Sequence, residues 1–444
     1  SPKVVVNKNM NALYFSRSII PYQRNAEKKD WLKGHVYYKH IGLYAYRVDV
    51  LKEITSLPQS SLEVAEAAAE GIHEVFPKCE IVKVDIADGG EGTMDALRHT
   101  LGGEKIFLTV SDPLGRPVEA SYVILEDGTT AVLEMAVASG LPLLTPSERN
   151  PLKTSTYGTG QLIADALARG CRKFLVGIGG SATNDGGMGM LQALGYVFTD
   201  ADGNYLPGVG ASLSAVCRID DSNVLSSVRE SEFIVACDVD SPLYGPEGAA
   251  YVFAPQKGAD QDMVRTLDEG LRHYAEVSAS YLASPIDYQP EGADARLIEG
   301  IFISDLASMP GVGAAGGLGY AFVAFLRARL QRGVDMVLDA VGFDSIIEGA
   351  DLVITGEGRI DSQTFTGKTP YGVLMRASGQ GIPVLALAGL VDLDDSFTAT
   401  LSESAGFRAI RQITPEGMPL SEAMLPSVAS ANLRRTISAL LKQL

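Results

Sequence analysis

The feature that most constrains this chain is a series of short apolar runs, most of which lead directly into a polar loop. The runs are Ile81–Ile86, Ala131–Met135, Phe174–Ile178, Phe233–Ala236, Leu352–Ile354 and Val384–Ala388. Several are continuously apolar, which is typical of strands buried on both faces of a parallel sheet. Helical patterns lie between them, at Gly160–Arg169, Met188–Leu194, Met263–Leu282, Tyr320–Gln331 and Ser421–Leu444. This alternation predicts an α/β fold with more than one doubly wound sheet.

Four of the loops that follow these runs share one chemistry. They span residues 87–93, 179–187, 237–242 and 355–361, and each contains a carboxylate and a hydroxyl group, with glycine in three of them. Ligands of open α/β sheets bind beyond the carboxyl ends of the strands. Glycine amides hold phosphate oxygens there, and carboxylates hold Mg²⁺ or accept a proton. The loops therefore predict a site for phosphate and Mg²⁺; ordinary turns in a large α/β protein are the alternative.

Composition and motifs exclude several classes of protein. The net charge is -17, from 37 Lys and Arg against 54 Asp and Glu, which argues against binding to nucleic acid or to an anionic membrane. The sequence contains neither a P-loop nor a GxGxxG motif opening a βαβ unit. Its four cysteines form no CxxC pair, and no stretch is long and apolar enough to span a bilayer. We expect a soluble, cytoplasmic protein.

The first 61 residues differ from the rest. They carry ten Lys and Arg against four Asp and Glu, whereas the remaining 383 residues carry 27 against 50. The single tryptophan, Trp31, also lies in this segment. Such a change in sign indicates a segment of different origin.

From Leu62 almost to the end, the motifs resemble the type I glycerate kinases. The resemblance rests on residues 86–93, 112–116, 154–160, 177–187, 238–243 and 356–361, which follow the order of that family. It implies phosphorylation of D-glycerate by ATP with Mg²⁺, to 2-phosphoglycerate or 3-phosphoglycerate. It also implies two doubly wound α/β domains with the active-site cleft between them. One would be a discontinuous Rossmann-like domain of residues 62–85 plus 300–444, and the other would comprise residues 86–299. A homodimer is one option for the assembly.

The front of the chain departs from that family. Residues 11–17, 40–47 and 57–63 resemble an internal part of CMP-Kdo synthetase, so the chain looks like a chimera. The strand and Ala-Pro-Asp-Ser-Phe-Lys loop that open the glycerate kinases are missing, and we expect Lys3–Asn7 to replace that strand. The alternative is a separate hairpin-like appendage.

The predicted site residues come from the loops and the resemblance together. We expect Asp185 to be the catalytic base, with Asp88 as second choice, and Arg359 to bind the carboxylate of glycerate. Residues expected to hold ATP or another anion are Gly179, Gly180, Ser181, Gly313, Gly316 and Lys368. Close helix packing explains Gly313 and Gly316 equally well. We expect Asp88, Asp240 and Glu357 to bind Mg²⁺, with loop capping as the alternative. Two other functions stay open: a chimera with impaired catalysis, and a non-catalytic protein that binds small acids.

Overall fold

The computed structural model describes residues 3–6, 12–16, 38–39, 60–283, 297–298, 301–393 and 406–443. The chain forms two compact units, Ser1–Glu63 and Val64–Leu444. Each is described by itself below.

The first unit contains a three-stranded antiparallel sheet. Strand β1 (Lys3–Val6) lies between β2 (Ala12–Ser16) and β3 (Tyr38–Lys39). Lys3 and Val4 each have a partner on both sides, so β1 has no free edge there to offer another sheet. The prediction that this strand replaces the lost strand of the kinase is therefore wrong. Asn7 lies outside the described residues.

The second unit is built around a six-stranded mixed sheet. Its strands are β4 (Glu104–Ser111), β5 (Pro117–Ile124), β6 (Thr130–Glu134), β7 (Lys173–Gly177), β10 (Glu232–Ala236) and β13 (Arg329–Gln331). They lie in the order β13-β10-β7-β6-β5-β4, and the four from β13 to β6 are parallel. Phe174 and Phe233 stack on adjacent strands with ring centroids 4.7 Å apart. Both are fully buried, as the apolar runs predict.

Three smaller sheets complete the described strands. Strands β14 (Val353–Ile360), β15 (Val384–Val391) and β16 (Phe407–Gln412) form a parallel sheet, and two antiparallel pairs are β8 (Val197–Thr199) with β9 (Arg218–Asp220) and β11 (Leu297–Ile298) with β12 (Ile301–Phe302). Because β13 joins the six-stranded sheet, that sheet includes a strand beyond residue 299. The division of this unit into two domains stays a prediction.

Helices flank these sheets. They are α1 (Ser60–His73), α2 (Thr93–Leu101), α3 (Ala136–Ser139), α4 (Tyr157–Ala168), α5 (Met188–Ala193), α6 (Ser226–Arg229), α7 (Ala249–Phe253), α8 (Gln261–Leu282), α9 (Ala314–Leu326), α10 (Gly333–Val341), α11 (Phe343–Ile346), α12 (Thr369–Gly379), α13 (Leu420–Ala423) and α14 (Pro426–Leu441). No helix among the described residues is long and apolar enough to cross a membrane.

Three predicted elements are wrong. Residues 81–86 form no strand, since no described segment pairs with them. The helix predicted over Tyr320–Gln331 ends at Leu326, because Arg327 adopts a left-handed conformation (φ 53°) and the chain then enters β13. The helix predicted over Ser421–Leu444 is interrupted before Pro426, whose ring disfavours a helical residue in front of it.

Candidate functional site

The carboxyl ends of the four parallel strands lie level with one another. Glu134, Gly177, Ala236 and Gln331 are consecutive partners in register across β6, β7, β10 and β13. The loops that follow these strands therefore start at the same edge of the sheet, where α/β proteins bind ligands.

The loop around Asp88 lies against this edge, although no strand precedes it. A β-carbon on Gly89 would fall 2.4 Å from the Cα atom of Gly333, at the start of α10. Glu134, at the end of β6, accepts hydrogen bonds from the amides of Gly92 (3.1 Å) and Met94 (2.9 Å). Because its neighbour Gly89 approaches Gly333 so closely, Asp88 lies beside the start of α10, and its side chain is exposed.

Three acids from separate segments interact electrostatically at this place: Asp88 and Asp238 lie in loops, and Glu357 lies in β14, so the loop predicted over residues 355–361 is strand as far as Ile360. Asp238, after β10, accepts a hydrogen bond from the Gly333 amide at 3.0 Å. Partial burial raises the pKa of Asp238; that hydrogen bond opposes the shift, and the charge of Asp88 adds to it. Burial likewise raises the pKa of Glu357, with a further contribution from Asp88 and an opposing one from Thr364. Asp88, Asp238 and Glu357 therefore share one electrostatic environment with an excess of negative charge.

Two cations border these acids. The charge of Lys368 lowers the pKa of Glu357, and that of Arg332 lowers the pKa of Asp238. A guanidinium nitrogen of Arg332 lies 3.6 Å from where a β-carbon on Gly367 would stand, so Arg332 reaches the residue before Lys368. Within the described part of the chain, neither forms an ion pair. Lys368 immediately precedes α12, whose dipole favours an anion at this end. Pro370 has no N–H group and the Tyr371 amide donates to the Lys368 carbonyl at 3.1 Å, so the Lys368 side chain is the main donor here.

This set of acids and cations fits a magnesium–phosphate ligand. Mg²⁺ is usually held by one or two carboxylates together with phosphate oxygens, and two unpaired cations suit the phosphate. Among the described residues, no group of three or more His, Cys, Asp or Glu side chains is arranged to hold a metal ion alone. Of the predicted ligands, Asp88 and Glu357 come together; Asp240 is exposed on the Asp238 loop.

Comparison with known proteins places the chain in a family. A family model described as the glycerate kinase family matches residues 55–444. The chain belongs to the glycerate kinase family. A cytidylyltransferase model matches residues 1–78, so the predicted two-part composition is confirmed.

Individual glycerate kinases agree with this assignment. The glycerate kinase of Bacillus subtilis is 45% identical over 364 residues, which cover 82% of this chain and 89% of the relative. The glycerate 2-kinase of Escherichia coli is 44% identical over 330 residues, covering 74% and 81%. A crystal structure of a candidate glycerate kinase 2 from Salmonella typhimurium LT2 matches with a TM-score of 0.73 at 40% identity, covering 86% of this chain and 94% of the other. The predicted α/β fold is confirmed by this match.

Asp185 of this glycerate kinase chain is fully buried. Its Oδ2 atom accepts hydrogen bonds from the Thr156 amide (2.8 Å), the Thr156 hydroxyl (2.8 Å) and the Gly189 amide (3.2 Å), while Oδ1 accepts one from Gly187 (3.1 Å). Burial raises the pKa of Asp185, and these hydrogen bonds oppose the shift. The carboxylate thus links the start of α4 to the start of α5, and both of its oxygens are already hydrogen-bonded within the protein. The geometry therefore favours the exposed Asp88 over Asp185 as the base.

The predicted glycines divide into two groups. Gly179 and Gly180 are exposed at the carboxyl end of β7. Gly180 has φ +75°, which favours glycine, whereas a β-carbon there would make only an ordinary 3.4 Å contact with Ala136. Gly313 and Gly316 are buried, and β-carbons on them would lie 2.1 Å from the carbonyl oxygens of other loops. The geometry of Gly313 and Gly316 therefore favours the packing alternative.

Arg359 projects from β14 and is 54% exposed. It pairs with Asp392 and lies 3.7 Å from Asp361. The alternative in which Arg359 binds a neighbouring acid therefore holds here, and its role toward glycerate stays a prediction.

Sequence reasoning missed two members of the site. Arg332 was missed because β13 is only three residues long and polar at both ends, so its loop was not recognised as following a strand. Asp238 lay within a recognised loop, but its type alone did not distinguish it from Asp240. What separates them is the hydrogen bond that Asp238 accepts from the Gly333 amide at 3.0 Å, a contact between residues 95 positions apart.

Proposed function

We propose that this chain binds D-glycerate and ATP and transfers the γ-phosphoryl group of ATP to a hydroxyl group of glycerate. The observation that carries the proposal is that Asp88 and Asp238 lie beside the start of α10, where Asp88 acts electrostatically on Asp238 and Glu357 and the cations Arg332 and Lys368 oppose its effect. The names of the relatives support the same reaction.

Each group has a proposed part in binding. Arg332 and Lys368 bind phosphate oxygens, which need positive charge and N–H donors. Asp238 and Glu357 supply the carboxylate oxygens that would hold Mg²⁺ beside the phosphates. When bound, Mg²⁺ neutralises charge on the transferring phosphate.

Asp88 is the proposed base, because it is exposed and next to these groups. The hydroxyl oxygen of glycerate forms a bond to the γ-phosphorus as the bond from that phosphorus to the leaving ADP oxygen breaks. Asp88 accepts the hydroxyl proton. Arg359 or the amides of Gly179 and Gly180 would bind the carboxylate of glycerate.

The test is release of ADP that depends on glycerate, with the product identified by phosphorus NMR as 2-phosphoglycerate or 3-phosphoglycerate. Asp88→Asn should reduce turnover by about 10²–10⁴-fold, the usual contribution of a general base. Lys173→Met, an exposed lysine at the opposite end of β7, is the control and should retain full turnover. Normal turnover by Asp88→Asn would refute its role.

The alternatives give different results in the same experiment. A non-catalytic acid-binding protein would bind glycerate without binding ATP or releasing ADP. A chimera with impaired catalysis would bind both substrates and release ADP much more slowly than the family relatives. A cytoplasmic location and a homodimeric assembly stay predictions, to be checked by cell fractionation and sedimentation.

A further inference from the structure

A lysine outside the acid and cation site connects to the glycine loop after β7. Lys257 ends a short 3-10 helix and is only 1% exposed. Its ammonium nitrogen donates hydrogen bonds to the hydroxyl of Ser181 and to the carbonyl of Thr183, both at 2.6 Å. A buried lysine without a direct ion pair is costly, so its retention calls for an explanation.

The loop that Lys257 holds has a polar, exposed front. Gly179 and Gly180 are exposed, and their amides donate no hydrogen bond to another described residue. The carbonyl of Gly180 is fixed by the Leu141 amide at 2.8 Å. Ser181, the next residue, is buried and turned toward Lys257. The loop thus has two unpaired amides at its exposed residues, Gly179 and Gly180, and is anchored by Lys257 on its buried side.

We propose that Lys257 is the positioning residue of this loop: by holding Ser181 and Thr183 from the interior, it keeps the Gly179 and Gly180 amides in the geometry that binds an oxyanion of the substrate. This inference rests on the proposed function. Lys257 does not contact the substrate in this arrangement, because its ammonium group is enclosed by protein.

Electrostatics favour the same role. Burial lowers the pKa of Lys257 to about 7, and the nearby Asp185 opposes that shift. When protonated, the ammonium group places a positive charge directly behind the loop, in an interior where charges are weakly screened. Two amides beside a positive charge bind negatively charged oxygen atoms, which both carboxylate and phosphate groups carry. The oxyanion is therefore either the carboxylate of glycerate or a phosphate of ATP.

The test compares Lys257→Met with the unmodified chain, using Lys173→Met as a matched control on an exposed lysine. Dissociation constants for glycerate and for ATP are measured by calorimetry, with KM and kcat alongside. Lys257→Met should weaken binding of one of the two substrates by about tenfold or more, because the Gly179 and Gly180 amides lose both their anchor and the charge behind them. The substrate that is weakened identifies the oxyanion. Lys257→Arg keeps the charge and should recover part of the affinity.

A second measurement needs no substrate. Hydrogen exchange of residues 177–187 should become faster in Lys257→Met than in the unmodified chain, since the loop loses its anchor. If Lys257→Met fails to fold, Ser181→Ala removes one acceptor of the same interaction and should change exchange and affinity in the same direction.

Two results would overturn the proposal: unchanged affinity for both substrates, or unchanged exchange of residues 177–187 in the variants. Failure of the unmodified chain to bind either substrate would instead refute the proposed function and the oxyanion role with it. The exchange measurement would still decide whether Lys257 fixes the loop.

Discussion

Replacing Asp185 by asparagine separates a catalytic role from a structural one. Asparagine has nearly the same shape, but its amide offers one oxygen acceptor where the carboxylate offers two. In the better orientation, the amide oxygen would retain the two bonds from Thr156 and the one from Gly189. The NH₂ group would then face the Gly187 amide, which now donates to Oδ1 at 3.1 Å.

The magnitude follows from these four bonds. A buried amide left without an acceptor costs about 1–3 kcal/mol. The three remaining bonds lose their ionised acceptor, and charge-assisted bonds are roughly twice as strong as neutral ones. Removing a carboxylate whose pKa is raised by burial offsets part of this loss. We expect Asp185→Asn to lower the free energy of unfolding by about 2–5 kcal/mol, a large share of the roughly 5–15 kcal/mol of an ordinary domain.

Urea denaturation followed by circular dichroism measures this change, and turnover is then expressed per folded molecule. Asp202→Asn, on an exposed turn, is the control and should change stability by less than about 0.5 kcal/mol. The structural role predicts lost stability with turnover per folded molecule largely retained. Unchanged stability with turnover reduced by about 10²-fold or more would refute this reasoning and restore Asp185 as the base.

Three further predictions concern other residues of the second unit. Lys257 has a folded pKa of about 7, below its ordinary 10.5, so the unfolded chain binds more protons between those values. The free energy of unfolding should therefore gain up to about 1.4 kcal/mol from Lys257 for each pH unit between pH 7 and 10; urea titrations at pH 7, 8 and 9 should show that this gain is absent in Lys257→Met. Gly316→Ala should destabilise the fold by more than about 2 kcal/mol, because its β-carbon would lie 2.1 Å from a carbonyl oxygen. Gly180→Ala, which has space but a positive φ, should cost only about 1–2 kcal/mol and should weaken oxyanion binding; denaturation and calorimetry compare the two. Arg332→Met and Lys368→Met should each weaken ATP binding by about tenfold at an unchanged melting temperature, since neither residue forms an ion pair with a described residue; a lowered melting temperature with normal ATP affinity would contradict the phosphate role.

The sequence predicts the interior of this fold better than its edges. Continuous apolar runs such as Phe174–Ile178 and Phe233–Ala236 become parallel central strands, because burial on both faces admits few polar residues. Residues 81–86 have a similar pattern and form no strand, since pairing depends on a neighbouring strand, which the local sequence does not specify. Strand β13 is the opposite case. Its three residues contain no apolar run, yet they form a strand because they pair with β10.

The same limit applies to the site. Asp88 and Glu357 were found because glycine-rich loops with acids follow a recognisable pattern. Burial was not predictable: Asp185 has the same residue type and the same glycine neighbours as an exposed acid, yet four hydrogen bonds enclose it. Whether a polar side chain faces solvent or the interior depends on contacts such as those of Thr156, which lies 29 positions away.

The close approach of Gly89 and Gly333 has a consequence for anyone who wishes to change the specificity of this protein with a mutant library. A β-carbon on Gly333 would meet the backbone oxygen of residue 88 at 1.9 Å, so no choice of side chain at position 88 or 89 makes room for it. Gly89 and Gly333 must both stay glycine in every library member. Gly90 is best kept as well, because its β-carbon would lie 3.2 Å from a carboxylate oxygen of Asp88, the proposed base, whereas the exposed Glu91 beside it tolerates randomisation. New substrate contacts are therefore best introduced at position 91.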